Sequence, residues 1–314
     1  LFGRGATAQF VALRVAHEFG QDRVIVPDVI CPVVIESALI AGYAVRAADV
    51  EPQRFTMALE TAPPEGKSVV LSAHTFGHVS QSLNKLSTQN YHERITIEDA
   101  VQGLGGTLPH NAAMTFTSFD PSKMVGGRGA VLLTDARALW DAIQRVRLTP
   151  VPPHAALPPH LRDYALHLHT RSADLLRPFD AAPENIDQIN AGLRTLAARV
   201  AARNAKAVWL RDHLDGLPLV LPVVEPGDAI WRYTLAAPTP LLARRLLRAL
   251  AEAGLRASDN YLSVSKIYNL EAPPPNSTAL AGRLLNLWVD ETVTQADLVR
   301  TVAVIQRTLT YFHI

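Results

Sequence analysis

The sequence predicts an α/β protein: a large lobe built on a mostly parallel sheet, followed by a smaller C-terminal α/β lobe. Two observations in the first half carry the large lobe. Short apolar runs such as RVIVPD (residues 23–28) and SVVLSAH (68–74) have little polar alternation, as expected of strands buried on both sides. Segments apolar at helical spacing alternate with them, which is the pattern of a parallel sheet covered on both faces. The third observation is a break. The proline-rich TPVPPHAALPPH (149–160) interrupts the alternation, and a long Ala- and Leu-rich helical stretch from about Ile186 to Leu214 then reads as a spine between lobes. With 314 residues the chain is long enough for two domains, 1–185 and 186–314.

In chain order, TAQFVALRVAHEF (7–19) reads as a helix and leads into the strand RVIVPD. PVVIESALIAGY (32–43) reads as a helix and AVRAADV (44–50) as a strand. SVVLSAH, RITIEDA (94–100), AAMTFTSF (112–119) and GAVLLTD (129–135) follow as strands, then ARALWDAIQRVR (136–147) as a helix. After the prolines, LRDYALHLHTRSADLLR (161–177) is a predicted helix. AIWRYTLAA (229–237), the helix LLARRLLRALAEAG (241–254), RLLNLWVD (283–290) and a final helix from Gln295 make the small lobe. GDAIW (227–231) and EAPPPNST (271–278) read as turns or loops.

Composition narrows the function classes. A formal net charge of +1 gives no general attraction to nucleic acid or to an anionic membrane. No apolar run reaches the roughly 18 residues of a membrane span, and no signal-peptide pattern is visible. Cys31 is the single cysteine, so no internal disulfide forms, which favours a reducing, cytoplasmic setting. The chain opens on Leu1 inside what reads as a motif, so a preceding segment is expected.

The chemistry concentrates at three places. In ITIEDAVQGLGG, Glu98 and Asp99 end a buried-type strand, where ligands of open α/β sheets bind. Asp99 can hold a cationic partner there, and Gln102 can reach the same ligand; the alternative is an aspartate that merely caps the next turn. In GRGATAQFVAL, small residues lead into a helix start, where the amides of Ala6 and Thr7, and the Thr7 hydroxyl, suit a phosphate. In FTSFDPSKMVGGRGAVLLTD, a strand delivers Ser118 and, five residues on, Lys123 before a run of glycines. An acid for a ring nitrogen, donors for a phosphate and a lysine for an aldehyde together suit pyridoxal 5'-phosphate. A rival exists in Gly3, Gly5 and Ala8, which fit the dinucleotide pattern G-x-G-x-x-A, with Asp28 about 20 residues later for a ribose. That reading would make the chain a nicotinamide-dependent oxidoreductase, yet leaves Asp99, Ser118 and Lys123 without a joint role.

The order G-A-T-A, V-P-D, H-T-F-G, E-D-A-V-Q, S-F-D-P-S-K and G-G-R-G-A-V resembles the DegT–DnrJ–StrS family over almost the whole chain. The resemblance implies a fold type I pyridoxal-phosphate transferase that aminates a keto group, most often of a nucleotide-linked sugar, with glutamate as donor. It implies a homodimer with shared active sites. By position, Lys123 forms the covalent link to the cofactor and shuttles the proton, and Asp99 pairs with the pyridine nitrogen. Gln102 contacts the ring or its phenolic oxygen. Ser118 and the amides of Ala6 and Thr7 hold the phosphate. Lys123 also argues against the related dehydratases, which carry histidine there.

The sequence departs from the family pattern on the substrate side. The aromatic residue that stacks on the cofactor ring is missing from DVICPVV, where Cys31 stands nearby; the histidine of S-F-H is Asp120. Asn185 is a stand-in for the asparagine that reaches the neighbouring subunit's phosphate, and the tail motif Y-x-P-L-H is YLSVS, Tyr261 to Ser265. These changes keep open a non-catalytic homologue of the same fold. His154, His160, His167 and His169 lack the carboxylates or cysteines of a metal site and read as loop histidines. His74, at a strand end, faces either the active site or a turn.

Overall fold

A computed structural model describes residues 1–63, 65–86, 93–109, 111–147, 183–270 and 273–311. The proline-rich connection, the helix expected over 161–177 and the four histidines between 154 and 169 lie outside the described residues.

The larger sheet has six strands: β1 (Arg23–Pro27), β2 (Ala44–Ala48), β3 (Ser68–Ala73), β4 (Arg94–Asp99), β5 (Met114–Ser118) and β6 (Ala130–Leu133). Their order is β2-β1-β3-β4-β5-β6, and every pair is parallel except β5 with β6. In register, Ala73 pairs with Asp99, Asp99 with Phe116, and Ser118 with Ala130. The ends of β3, β4 and β5 therefore share one edge of the sheet.

One face is covered by α1 (Gly5–Glu18), α2 (Pro32–Ile40) and α3 (Arg137–Val146). Leu13, Ile35 and Ile143 from these helices join Leu71, Ile97 and Phe116 of the strands in one apolar core. Removing such side chains from water is the main force assembling the layers. On the other face Ile25 and Val70 meet Met57, Leu59 and Leu83. These last residues come from single-turn and irregular segments, not from long helices, so the expected helical cover holds on one face only among the described residues.

The spine is two helices, α4 (Ile186–Arg194) and α5 (Leu196–Leu214). Thr195 separates them, and its hydroxyl donates to Ala191 O at 3.1 Å, a back-bond that disturbs a helix. The smaller antiparallel sheet, ordered β7-β9-β8, consists of β7 (Arg232–Ala236), β8 (Ala257–Ser258) and β9 (Leu284–Trp288). It packs on α5, α6 (Pro240–Glu252) and the last helix, Gln295–Tyr311, through Tyr233, Leu246, Leu250, Leu287 and Ile305.

Two short helices, α7 (Val264–Tyr268) and α8 (Pro275–Leu280), precede β9, and α8 lies where a loop was expected. The last helix is thus α9. α7 returns to the larger sheet. Val264, Ile267 and Tyr268 enter its core, and Ser265 N donates to Asp28 Oδ1 at 2.8 Å. Among the described residues, no helix is long and apolar enough to cross a membrane, and no group of His, Cys, Asp and Glu could hold a metal ion.

Candidate active site

A cleft of about 730 Å³ opens at the shared strand edge, where its walls include His74, Asp99, Ser118 and Lys123. The local sequence explains how Lys123 arrives there. After Ser118 the chain turns through Asp120–Lys123, closed by Lys123 N donating to Asp120 O at 2.8 Å. Asp120 also accepts from Ser122 N at 3.0 Å, and Pro121 presets the second position of the turn. The glycines then allow a close approach: Gly127 has φ +108°, and a Cβ there would lie 2.6 Å from Ile189 of α4. The loop that carries the lysine is thus pressed between the sheet edge and the spine.

Lys123 is half-buried, with Nζ 4.3 Å from the centre of the Trp231 ring. Burial lowers its pKa, and the guanidinium of Arg232 adds to the effect, while Cys31, Asp120 and Asp99 oppose it. A lysine so placed releases its proton more readily and becomes a better nucleophile and base.

Asp99, the last residue of β4, is buried at 9% exposure, and its Oδ1 accepts from Val101 N at 2.9 Å. Burial raises its pKa to about 6 despite that bond and the nearby His74 and Lys123. Among the described residues no ion pair joins Asp99 to Lys123. A cationic ring between them would restore the carboxylate's charged form. His74 accepts from Ser80 N through Nδ1 at 2.9 Å, so Nε2 carries the proton and donates to Glu98 Oε1 at 3.1 Å. His74 therefore lines the cleft and also anchors a turn.

The phosphate end is tested by one close approach. A Cβ on Gly5 would sit 2.8 Å from Ser118 Cβ and 3.1 Å from its Oγ. Only glycine brings the start of α1 this near the end of β5, and no side chain caps that helix. The first N–H groups of a helix have no intrahelical partner and favour an anion. Gly5, Ala6 and Ser118 all line the cleft. Thr7 does not. It is buried at 6% exposure, turned aside by the 100° step of the helix, so only its amide remains for the expected role. The residues present fit pyridoxal phosphate at both ends.

A family model, the DegT/DnrJ/EryC1/StrS aminotransferase family, matches residues 2–306. The chain belongs to this family. It is 26% identical to the UDP-N-acetyl-3-dehydro-alpha-D-glucosamine 3-aminotransferase of Acidithiobacillus ferrooxidans, over 97% of this chain and 82% of that protein. The aminotransferase TlmJ from Streptoalloteichus hindustanus superposes with TM-score 0.79 at 15% identity, over 99% of this chain and 85% of that one. The sugar aminotransferase CalS13 from Micromonospora echinospora gives TM-score 0.76 at 18% identity, over 98% and 86%. Aminotransferases of this family use pyridoxal phosphate, and Spr1654 from Streptococcus pneumoniae, in its PLP form, gives TM-score 0.74 at 16% identity over 99% and 86%. The expected fold type I architecture is thereby established.

Where the chain departs from the DegT/DnrJ/EryC1/StrS pattern, the structure supplies particular contacts. Gln102 accepts from Phe76 N at 2.7 Å and donates to Tyr261 OH at 2.8 Å. Much of its amide is therefore spent on holding Tyr261 in the cleft wall, where the ring stacks on Phe76 at 5.7 Å. Cys31 also lines the cleft, as does Tyr261. Asn185 is not among the cleft-lining residues; it caps α4 in a left-handed conformation.

The dinucleotide rival loses its context. Asp28, the residue it needs for a ribose, is fully buried and accepts from the amide of Ser265. Trp231 and Tyr261 were not predicted as site residues. AIWRY carries no chemical motif, and the bond from Trp231 to Ser122 O spans 109 residues.

Proposed function

We propose that this chain is a pyridoxal-phosphate-dependent aminotransferase that moves an amino group from an amino acid to a keto sugar carried on a nucleotide. The observation that carries the reading is the meeting of Asp99, Lys123, Ser118 and the start of α1 in one cleft. Glutamate as donor, and a nucleotide-linked acceptor, are supported by the family and by the name of the Acidithiobacillus relative. When bound, pyridoxal phosphate supplies an electron sink for the carbanion and a carbonyl carbon that exchanges amines.

The chain's own residues do the rest. Lys123 Nζ would hold the cofactor's aldehyde carbon and, when free, would serve as the base that moves a proton, a role that its lowered pKa suits. Asp99 would hold the cationic ring nitrogen. Gln102 orders the wall beside the ring through Tyr261. Ser118 Oγ and the amides of Ala6 and Thr7 would hold the phosphate.

A homodimer in the cytoplasm, with lobes 1–185 and 186–314, completes the reading; the single cysteine and the family resemblance support it. The test is a two-stage spectral assay. Glutamate should bleach the bound-cofactor absorbance, and a keto sugar on a nucleotide should restore it. A protein that binds the cofactor but is unaffected by any amino donor would instead be a non-catalytic homologue.

A further inference from the structure

We propose that Trp231, immediately before β7, is a positioning residue for Lys123: its indole N–H tethers the lysine's turn and its ring face holds the ammonium. The inference rests on Lys123 being the lysine that captures the cofactor. Its basis is a contact between the two sheets. Trp231 Nε1–H donates to Ser122 O at 2.8 Å, one residue before the lysine, and Nζ of Lys123 lies 4.3 Å from the ring centre. The indole is itself pinned. Trp231 is 8% exposed, and its N donates to Phe76 O at 2.8 Å on the turn whose Phe76 N donates to Gln102.

Behind it stands a ladder of rings and cations. The Arg232 guanidinium lies 4.3 Å from the Trp231 ring centre and 4.1 Å from that of Trp288, with its NH1 group 4.0 Å from Asp290. The small lobe thus grips both the backbone and the charge of the lysine segment. A lysine without such a hold would sample many rotamers, and its amine would seldom point at the cofactor carbon.

The ring face favours the charged amine, since its quadrupole attracts a cation. The other charged or titratable groups around Nζ are Cys31 at the start of α2, Asp99 at the end of β4, Asp120 in its own turn and Arg232. Removing the ring alone takes away a contact that stabilises the ammonium. The midpoint of lysine deprotonation must then fall.

The experiment is the capture of pyridoxal phosphate by cofactor-stripped protein, its rate followed by absorbance across the lysine titration range. Trp231→Leu, which keeps apolar bulk, should move the midpoint of the rate profile down by about 0.5 to 1 pH unit. Trp231→Phe keeps a smaller and weaker ring face, so it should lower the midpoint by less than the leucine change, and it should slow capture several-fold through loss of the N–H tether. Fluorotryptophan incorporation tests the same point without changing the fold: each added fluorine weakens the ring face and should lower the midpoint further. In the Trp231→Phe background that trend should vanish.

A midpoint that stays or rises in Trp231→Leu, or a flat response to fluorination, overturns the inference; if the leucine variant does not fold, the fluorine series decides alone. Borohydride trapping and peptide mapping of the unmutated protein separate the two levels. A trapped cofactor on Lys123 with an unmoved profile sinks only the role of Trp231, whereas no cofactor on Lys123 sinks the underlying reading and this inference with it.

Discussion

On the proposed reading, Lys123 and Asp99 divide the chemistry, and each makes a separable expectation. Lys123→Ala removes nucleophile and proton shuttle together, so transamination should fall by about a thousandfold or more. The same change at Lys266, whose backbone N–H donates to the Ser263 side chain, should leave the rate nearly unchanged. Asp99 gives a pH test. Its carboxyl, raised to about 6 by burial, carries charge above that pH and loses it below. Cofactor affinity measured by equilibrium dialysis should therefore weaken as pH falls through about 6, and Asp99→Asn should abolish that step. At this scale the sequence was most legible where a residue acts near its neighbours in the chain. Ser118, the D-P-S-K turn and Lys123 lie within six positions and could be read as one loop. Trp231 and Tyr261 could not, because their partners come from the other sheet or from distant loops.

Among the elements, the start of α1 and the end of β5 form one unit, joined at a glycine. Gly5→Ala would place a methyl 2.8 Å from Ser118 Cβ, with no flexible side-chain tip to move away. The helix start must withdraw, and the cofactor should bind at least tenfold more weakly, which a fluorescence titration would measure; free phosphate should compete less well too. Unchanged affinity would place the phosphate elsewhere. Long elements were legible because their apolar periods persist: α1, the buried strands and α9 lie close to their expected spans. The exceptions have physical causes. Thr195 breaks the spine where its hydroxyl bonds the Ala191 carbonyl, α7 and α8 are too short to show a period, and β8 has only two residues. The second face of the larger sheet is covered by single-turn and irregular segments too short to show a period.

For the whole molecule, the question is what holds the lobes in the geometry that brings Trp231 to Lys123. A buried clamp does much of this. Asp228, before the smaller sheet, accepts from Arg54 NH2 at 2.9 Å and from Val79 N at 2.8 Å, with His78 Nδ1 3.2 Å away. Burial alone would raise the Asp228 pKa, but His78, Arg54 and the Glu225 amide outweigh it and bring it down to about 2. A carboxyl with a depressed folded pKa contributes stability above its unfolded value, roughly 4, and loses it as pH falls towards 2. The contribution is about 2 kcal/mol, so urea midpoints should drop across that acid window in the wild type and not in Asp228→Asn. Asp228→Ala leaves the buried Arg54 only the half-exposed Glu225 as a carboxylate partner, 3.1 Å away, and should cost about 3 kcal/mol at neutral pH. None of this clamp was visible in the sequence, since GDAIW reads as a turn and Arg54 lies 174 residues away. The two-sheet plan was visible, because it is written in the order of strands and helices and not in any single contact.

The central claim is that Lys123 is the residue that captures pyridoxal phosphate, and trapping it covalently is the most direct test. The chain has five lysines, of which Lys123 alone lines the cleft among the described residues. Borohydride reduction of the cofactor-loaded protein, followed by peptide mass mapping, should place the added cofactor mass on the peptide containing Lys123 and on no other. Cofactor fixed to Lys67, Lys85, Lys206 or Lys266, or a protein that fixes none at all, would contradict the account.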